Sequence, residues 1–353
     1  MQFNIRAASG TGAALEAGMS NSPAYELARC LVCGTADGRE LVDAEGMREE
    51  IEALWAFHTR RLRAQTPAEH LTDRLAFSQH APLRLVRCPR CGLVYRNPIE
   101  RARELRDAYG RAPPPEVLAA LHETQRQAYR AQARRLTHEA GNRVGTGLEV
   151  GSYVGGFLAA ARELGWAFEG VDVNEAASDY ARSLGLRVTV GTIESLAADH
   201  TLHRRFYAVA FWNCFDQLPD PRAATVAAQT LLAPHGVLAL RVPNGAFYAA
   251  LRPLLATTAA PAARLLLAHN NLLTFPYRYG FTPPSITRLL GQCGFRVQHV
   301  AGDVLVPIAD RWTRRWAAAE ERLVKAALGL VARRDGRQGL APWMEVYARP
   351  AGE

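Results

Sequence analysis

Four of the six cysteines come in two Cys-x-x-Cys pairs, Cys30-Leu-Val-Cys33-Gly34 and Cys88-Pro-Arg-Cys91-Gly92. In each pair two thiolates can reach one ion, and the glycine that follows permits the tight turn this needs. Two such knuckles complete a tetrahedral set of sulfurs. Zn2+ suits that set because it is borderline soft and has no ligand-field preference. A closed set leaves no position for substrate, so Cys30, Cys33, Cys88 and Cys91 are expected to hold a structural zinc. Paired thiols of this kind also point to a reducing compartment rather than to secretion.

A second stretch carries different chemistry: Leu148-Glu149-Val150-Gly151-Ser152-Tyr153-Val154-Gly155-Gly156-Phe157. It reads as a strand ending at Val150, a glycine turn, and a helix starting near Gly156. Asp172 closes the next strand, 21 residues after Gly151, where a carboxylate can accept hydrogen bonds from ribose hydroxyls. A dinucleotide fingerprint needs a second glycine two residues after the first, so that the backbone can approach a pyrophosphate. Tyr153 stands there, so a nucleoside without a pyrophosphate fits better. Further polar candidates fall at the ends of later strands and beyond: Asn213 and Asp216, Asn244, and then His269, Tyr277 and Tyr279. Cys214 and Cys293 read as small buried hydrophobes.

The composition narrows the classes. Hydrophobic residues are 48% and charged residues 22% of 353, which excludes a wholly disordered chain. Lys and Arg number 42 against 34 Asp and Glu, for a net charge of +8. Lys325 is the only lysine, so lysine-based catalysis is nearly excluded. Apolar runs such as Tyr207–Trp212 fall far short of the roughly 20 residues that span a bilayer, and no targeting segment is visible. A cytoplasmic protein is expected.

Residues 1–28 read as a flexible tail and 29–100 as a zinc-binding ribbon with a helical insert around Arg48–Arg63. Residues 101–145 read as a helical linker containing two helices, broken at Pro113–Pro115. From residue 146 to 353 short apolar runs alternate with amphipathic stretches, the sign of a βαβ sheet. Strands are predicted at Thr146–Val150, Ala167–Asp172, Arg187–Val190, Tyr207–Trp212, Val237–Val242, Arg296–Ala301 and Met344–Ala348. Helices are predicted at Gly156–Leu164, Glu175–Leu184, Ala223–Leu232, Pro284–Cys293 and Trp312–Val331. The span 245–282 is too long for a plain connection and is a candidate substrate cover. Residues 311–335 hold seven basic and three acidic residues on a helical pattern. The plain reading is a helix packed on the sheet with a charged outer face; the sharper one is contact with an anionic lipid surface or nucleic acid.

Taken together these motifs resemble the class I S-adenosylmethionine-dependent methyltransferases over about residues 146–349. Glu149-x-Gly151-x-x-x-Gly155 resembles their first motif, and Gly170-Val-Asp172 their ribose-binding strand end. Gly191-Thr-Ile-Glu194 resembles the segment flanking the adenine. Phe211-Trp-Asn213-Cys-Phe-Asp216-Gln217 resembles the fourth-strand motif, with Asp216-Gln217 where the family usually has Glu-His. Gly236 to Asn244 resembles the fifth strand, and Phe281-Thr-Pro-Pro-Ser285 leading to Gly294-Phe295 the last helix and turn. The cysteine ribbon followed by Gly-Leu-Val-Tyr95-x-Asn97-Pro98 is similar to a bacterial subgroup that includes sugar C-methyltransferases.

The resemblance implies an α/β, Rossmann-like seven-stranded sheet behind a small N-terminal four-cysteine zinc ribbon. It implies S-adenosylmethionine held by Glu149, Gly151, Ser152, Tyr153, Gly155, Asp172, Val173, Thr192, Ile193 and Asn213. Asp216, His269 and Tyr277 are the candidate catalytic residues. The expected reaction is methyl transfer to a sugar, glycolipid or secondary metabolite. An RNA methyltransferase using the ribbon to hold RNA, and a non-catalytic cofactor-binding protein, are the alternatives. No stacking motif or concentrated basic run in the ribbon favours RNA.

Overall fold

The computed structural model describes residues 25–66, 84–102, 109, 115–275, 277–307, 311–334 and 339–352. The expected tail and most of the expected helical stretch before residue 115 lie outside them.

A seven-stranded sheet organises the larger part of the chain. Its strands are β6 (Thr146–Val150), β7 (Ala167–Asp172), β8 (Val188–Val190), β9 (Phe206–Trp212), β10 (Leu232–Pro243), β12 (Phe295–Asp303) and β13 (Trp343–Pro350), in the order β12-β13-β10-β9-β6-β7-β8. The chain runs outward from β6 through β7 to β8, then returns to β6 on its other side as β9. Strand order therefore reverses at β6, and the crevice beyond the carboxyl ends of β6 and β9 is where ligands of such sheets sit. Only β13 runs against its neighbours, pairing antiparallel with both β10 and β12.

Both faces of this sheet are covered, which is why its central strands are apolar almost throughout. On one face Leu148, Val150, Val209 and Leu240 pack with Ala224, Ala228 and Leu231 of α6 (Pro221–Leu231) and with Ile286 and Leu289 of α9 (Pro283–Gln292). On the other, Ala208, Ala210 and Trp212 meet Phe157 and Leu158 of α3 (Gly156–Arg162). Ala133 and Leu136 of α2 (Pro115–Glu139) join that second cluster, so this helix is a layer of the fold rather than a spacer. The expected strand Val237–Val242 starts five residues earlier, at Leu232, because α6 runs straight into β10.

The cysteine region is a small sheet, and β1 (Tyr25–Glu26) and β5 (Ile99–Glu100) form a separate antiparallel pair. Strands β3 (Arg84–Arg87) and β4 (Val94–Asn97) form a hairpin whose turn is the Cys88–Cys91 knuckle, and β2 (Arg39–Val42) adds to β3. The fourth strand comes from far along the chain. β11 (Tyr279–Gly280) pairs with β4 in the register Tyr279↔Tyr95 and Gly280↔Val94. The helical insert is α1 (Ala44–Arg61), capped by the Asp43 side chain accepting from the Gly46 amide. Met47, Leu54 and Phe57 on its face pack with Phe247 and Tyr248 of α7 (Gly245–Leu251) and Leu267 of α8 (Ala260–His269). Buried Glu50 accepts from the Tyr248 hydroxyl (2.7 Å) and the Thr274 amide (2.9 Å), and pairs with Arg252 (2.9 Å). The ribbon and the 245–282 span are thus one packed body. Among the described residues no helix is long and apolar enough to cross a membrane.

Candidate active site

The β6–α3 turn is a tight loop hung from β7. The amides of Gly151 and Ser152 both donate to the Val171 carbonyl, at 2.8 and 3.3 Å. Gly151 and Gly155 each sit at φ 72°, a left-handed conformation that glycine adopts without a Cβ clash. A Cβ on Gly151 would stand 2.9 Å from the Cys214 sulfur. Tyr153 is also left-handed, at φ 45°, which is rare for a bulky residue. That turn aims its amide at Asp172, whose carboxylate accepts from Tyr153 and from Asn174, both at 2.8 Å. The Tyr153 ring packs beside Leu118, Val154 and Ala177.

The end of β9 faces this loop. Cys214 donates its thiol to the Val150 carbonyl (3.0 Å), tying β9 to β6. Asn213, at φ 61°, is held on both sides: its Oδ1 accepts from Arg241 (2.9 Å) and its Nδ2 donates to the Tyr129 hydroxyl (3.0 Å). Arg241 is itself anchored by Asp303 at 2.6 Å. The Gln217 amide donates to the Asn213 carbonyl (2.6 Å) and accepts from the Tyr109 hydroxyl (2.6 Å). The Tyr109 carbonyl accepts from the Asn174 side chain at 2.7 Å, so Tyr109 spans from the end of β7 to the end of β9. Its ring meets that of Tyr277 edge-on at 6.2 Å.

Four buried polar atoms collect at this crevice with no hydrogen-bond partner among the described residues: Glu149 Oε2, Ser152 Oγ, Trp212 Nε1 and Asp216 Oδ1. Each orphaned group costs about 1–3 kcal/mol, and buried polar groups are nearly always partnered. Such a cluster at a switch point fits a polar ligand. Burial, reinforced by the charge of Asp172, pushes the Glu149 carboxyl well above the usual range. Burial also raises Asp172, opposed by the backbone amides it accepts from. The Asp216 carboxyl is pushed up to about 7 by burial.

The remaining sequence candidates divide. Val173 is exposed, Thr192 caps α5 (Ile193–Ala197) in a capping box with Ser195, and Ile193 is buried. These follow Asp172 and β8 directly, and the Gly191 amide donates to the Asp172 carbonyl (2.9 Å). Asn244 caps α7 and donates to the Ala341 carbonyl (2.8 Å). His269, expected as a base, is not brought to the loop. Its ring is buried between α1, α8 and α10 (Arg315–Arg334), with Nε2 3.1 Å from Glu320 and the Phe57 ring edge-on at 5.0 Å. Burial and the neighbouring Arg61 hold its pKa down. Its contacts there are with helices, and it is not brought together with Asp216 and Tyr277. Tyr109, Tyr129 and Arg241 lay outside the sequence expectation: no local motif marks Tyr109 or Tyr129, and Arg241 lies on β10 of the sheet itself.

The four sulfurs of the ribbon lie within 4.8 Å of one another. Neighbouring pairs stand at 3.5 Å (Cys30 and Cys91, Cys30 and Cys33), 3.3 Å (Cys33 and Cys88) and 3.9 Å (Cys33 and Cys91). Zn–S bonds of about 2.3 Å in a tetrahedron require S–S separations of about 3.8 Å. The spacing therefore fits that ion. Without one the thiols cannot ionise together. The hydrogen bond with Cys91 draws Cys30 down to about 5, while the same bond pushes Cys91 up and burial raises Cys33.

No curated protein matches the chain. A solved S-adenosylmethionine-dependent methyltransferase from Archaeoglobus fulgidus is 16% identical with a TM-score of 0.41, over 63% of this chain and 93% of that one. One from Mesorhizobium loti is 14% identical with a TM-score of 0.42, over 63% and 97%. The plantazolicin methyltransferase BamL is 15% identical with a TM-score of 0.43, over 70% and 94%. The profile of a family described as a methyltransferase domain matches residues 121–300, just over half of the chain and the whole stretch from α2 into β12 that builds the glycine loop, Asp172 and the β9 crevice. The chain belongs to this methyltransferase-domain family.

Proposed function

We propose that the protein transfers a methyl group from S-adenosylmethionine to a small-molecule acceptor, a sugar, glycolipid or secondary metabolite, by in-line displacement. One observation carries the reading: unpartnered buried polar atoms, two carboxyl oxygens among them, belong to the glycine loop, to β6 and to the end of β9, at the point where strand order reverses. A sulfonium nucleoside bound there supplies an already activated methyl group.

In this reading the Gly151–Gly155 turn lets the backbone come close to the donor. Glu149, with one oxygen unanswered, meets its cationic end. Asp172 binds the ribose hydroxyls while its backbone donors hold it still. Val173, Thr192 and Ile193 flank the adenine. Asn213, fixed by Arg241 and Tyr129, sets the β9 end against the donor. Alignment of nucleophile, methyl and sulfur supplies most of the rate. Asp216, pushed up to about 7 by burial, takes the acceptor's proton, which is efficient when a base titrates near the working pH. Tyr277, at the edge of the 245–282 cover, orients the acceptor with Tyr109. Cys30, Cys33, Cys88 and Cys91 hold a structural zinc.

The test is calorimetric titration of the purified chain with S-adenosylmethionine and, separately, with NAD, with zinc measured on the same sample. Binding of the first alone, together with one zinc per chain, supports the reading. Heat from NAD and none from S-adenosylmethionine sinks it. RNA binding that weakens steeply with salt would move the acceptor to nucleic acid.

A further inference from the structure

The outer face of α10 presents large apolar side chains that the proposed reaction does not use. Trp316, Leu323 and Leu330 are 47%, 73% and 61% exposed, and Leu323 is the most exposed large apolar side chain among the described residues. With Ala319 and Ala326, also exposed, they recur at alternating spacings of three and four. At 3.6 residues per turn these five positions fall within about 80° of arc over about 21 Å of helix. Val331, 43% exposed, borders the stripe.

Charge on this helix is segregated. Glu320 turns inward to Arg61 and His269, and Glu321 is buried against Lys325 at 2.6 Å. Among the described residues of 311–334, every exposed charged side chain is an arginine: Arg311, Arg314, Arg315 and Arg322. Arg315 and Arg322 fall along one edge of the stripe by the same helical count, and Arg311 and Arg314 lie in the segment leading into the helix.

We propose that α10 lays this face on an anionic lipid surface, its tryptophan and leucines entering the headgroup boundary and its arginines meeting the headgroup phosphates. An in-plane helix of this type needs an apolar stripe with aromatic and leucine side chains beside basic residues. A contact of α10 with its own copy suits the face less well, because the acidic residues of this helix, Glu320 and Glu321, are engaged inward. Nucleic acid would answer the arginines and gain nothing from Leu323 and Leu330.

Flotation of the full-length chain with phosphatidylcholine vesicles, with and without phosphatidylglycerol, tests this. The wild-type protein is expected to float with the anionic vesicles only. The double variant Leu323→Glu, Leu330→Glu should lose at least about tenfold in partitioning, from the apolar area withdrawn. Arg315→Gln and Arg322→Gln should each lose about fivefold. All should keep the wild-type melting temperature and donor binding, since the residues are exposed and outside the crevice. Wild-type protein that stays with neither vesicle overturns the proposal. So does equal flotation of the leucine variant, or a wild-type dimer that Leu323→Glu converts to monomer.

Discussion

Replacing Glu149 by glutamine should pull stability and donor binding in opposite directions. The residue is buried, one carboxylate oxygen has no partner among the described residues, and burial with the nearby Asp172 charge raises its pKa well above the ordinary range. A carboxyl group raised in the folded state binds more protons there than in the unfolded chain. It therefore costs stability as pH rises above the unfolded value of about 4.3, by about 1.4 kcal/mol per pH unit of displaced titration. Glutamine keeps the shape and removes the charge. Glu149→Gln should match the wild type in acid and melt higher at neutral pH, the gap widening from about pH 4.3 upward until the folded carboxyl titrates. Donor binding should fall, because a hydrogen bond to a charged group contributes about 1.5–3 kcal/mol, or about 10- to 150-fold in Kd. Thermal melts across pH and calorimetry with S-adenosylmethionine read the two effects on the same samples. A variant that binds the donor as tightly as the wild type, or that is less stable at neutral pH, would refute the assignment of Glu149 to the donor's cationic end.

Other outcomes test neighbouring parts. Gly151→Ala places a Cβ 2.9 Å from the Cys214 sulfur in a left-handed turn, so it should lose at least about 1–2 kcal/mol of stability in chemical denaturation, and most donor binding. If Asp216 is the base, kcat/KM falls as pH drops through about 7, since the carboxylate must be unprotonated to accept; Asp216→Asn should abolish that limb of the profile, and an unchanged limb would exclude the role. Cys88→Ser, or a strong chelator, should remove zinc by elemental analysis and lower the melting temperature. Donor binding should weaken with it, because Cys30, Cys88, Cys91 and Tyr95 share an apolar cluster with Val150 and Phe211 of the large sheet.

The parts of the fold written locally were legible in the chain. Each predicted strand of the large sheet overlaps an observed one, β10 beginning five residues early, because a buried strand must be apolar and most end in turns, and those are short-range signals. Helices α3, α4 (Glu175–Ser183) and α9 were legible for the same reason, α9 carrying its own Thr282 capping box. What escaped was set by partners far away in sequence. Two residues, Tyr279 and Gly280, become a strand only because Val94 and Tyr95 offer an edge, and no periodicity is readable in two residues. His269 looked available beside Asn270 and Asn271. Arg61 and Glu320, which enclose it, are separated from it by 208 and 51 residues in the sequence. Arg241 reads as one polar position in an apolar strand, and only Asp303 and Asn213 give it a purpose.

The pairing of β11 with β4 has a consequence for engineering. The 245–282 span and the cysteine ribbon are stitched by shared backbone hydrogen bonds, so neither can be exchanged alone. A chimera that imports a foreign ribbon would have to carry the matching Tyr279–Gly280 segment with it. The exchanged cassette would also have to match the large sheet, where Val150 and Phe211 pack in one apolar cluster with Cys30, Cys88, Cys91 and Tyr95.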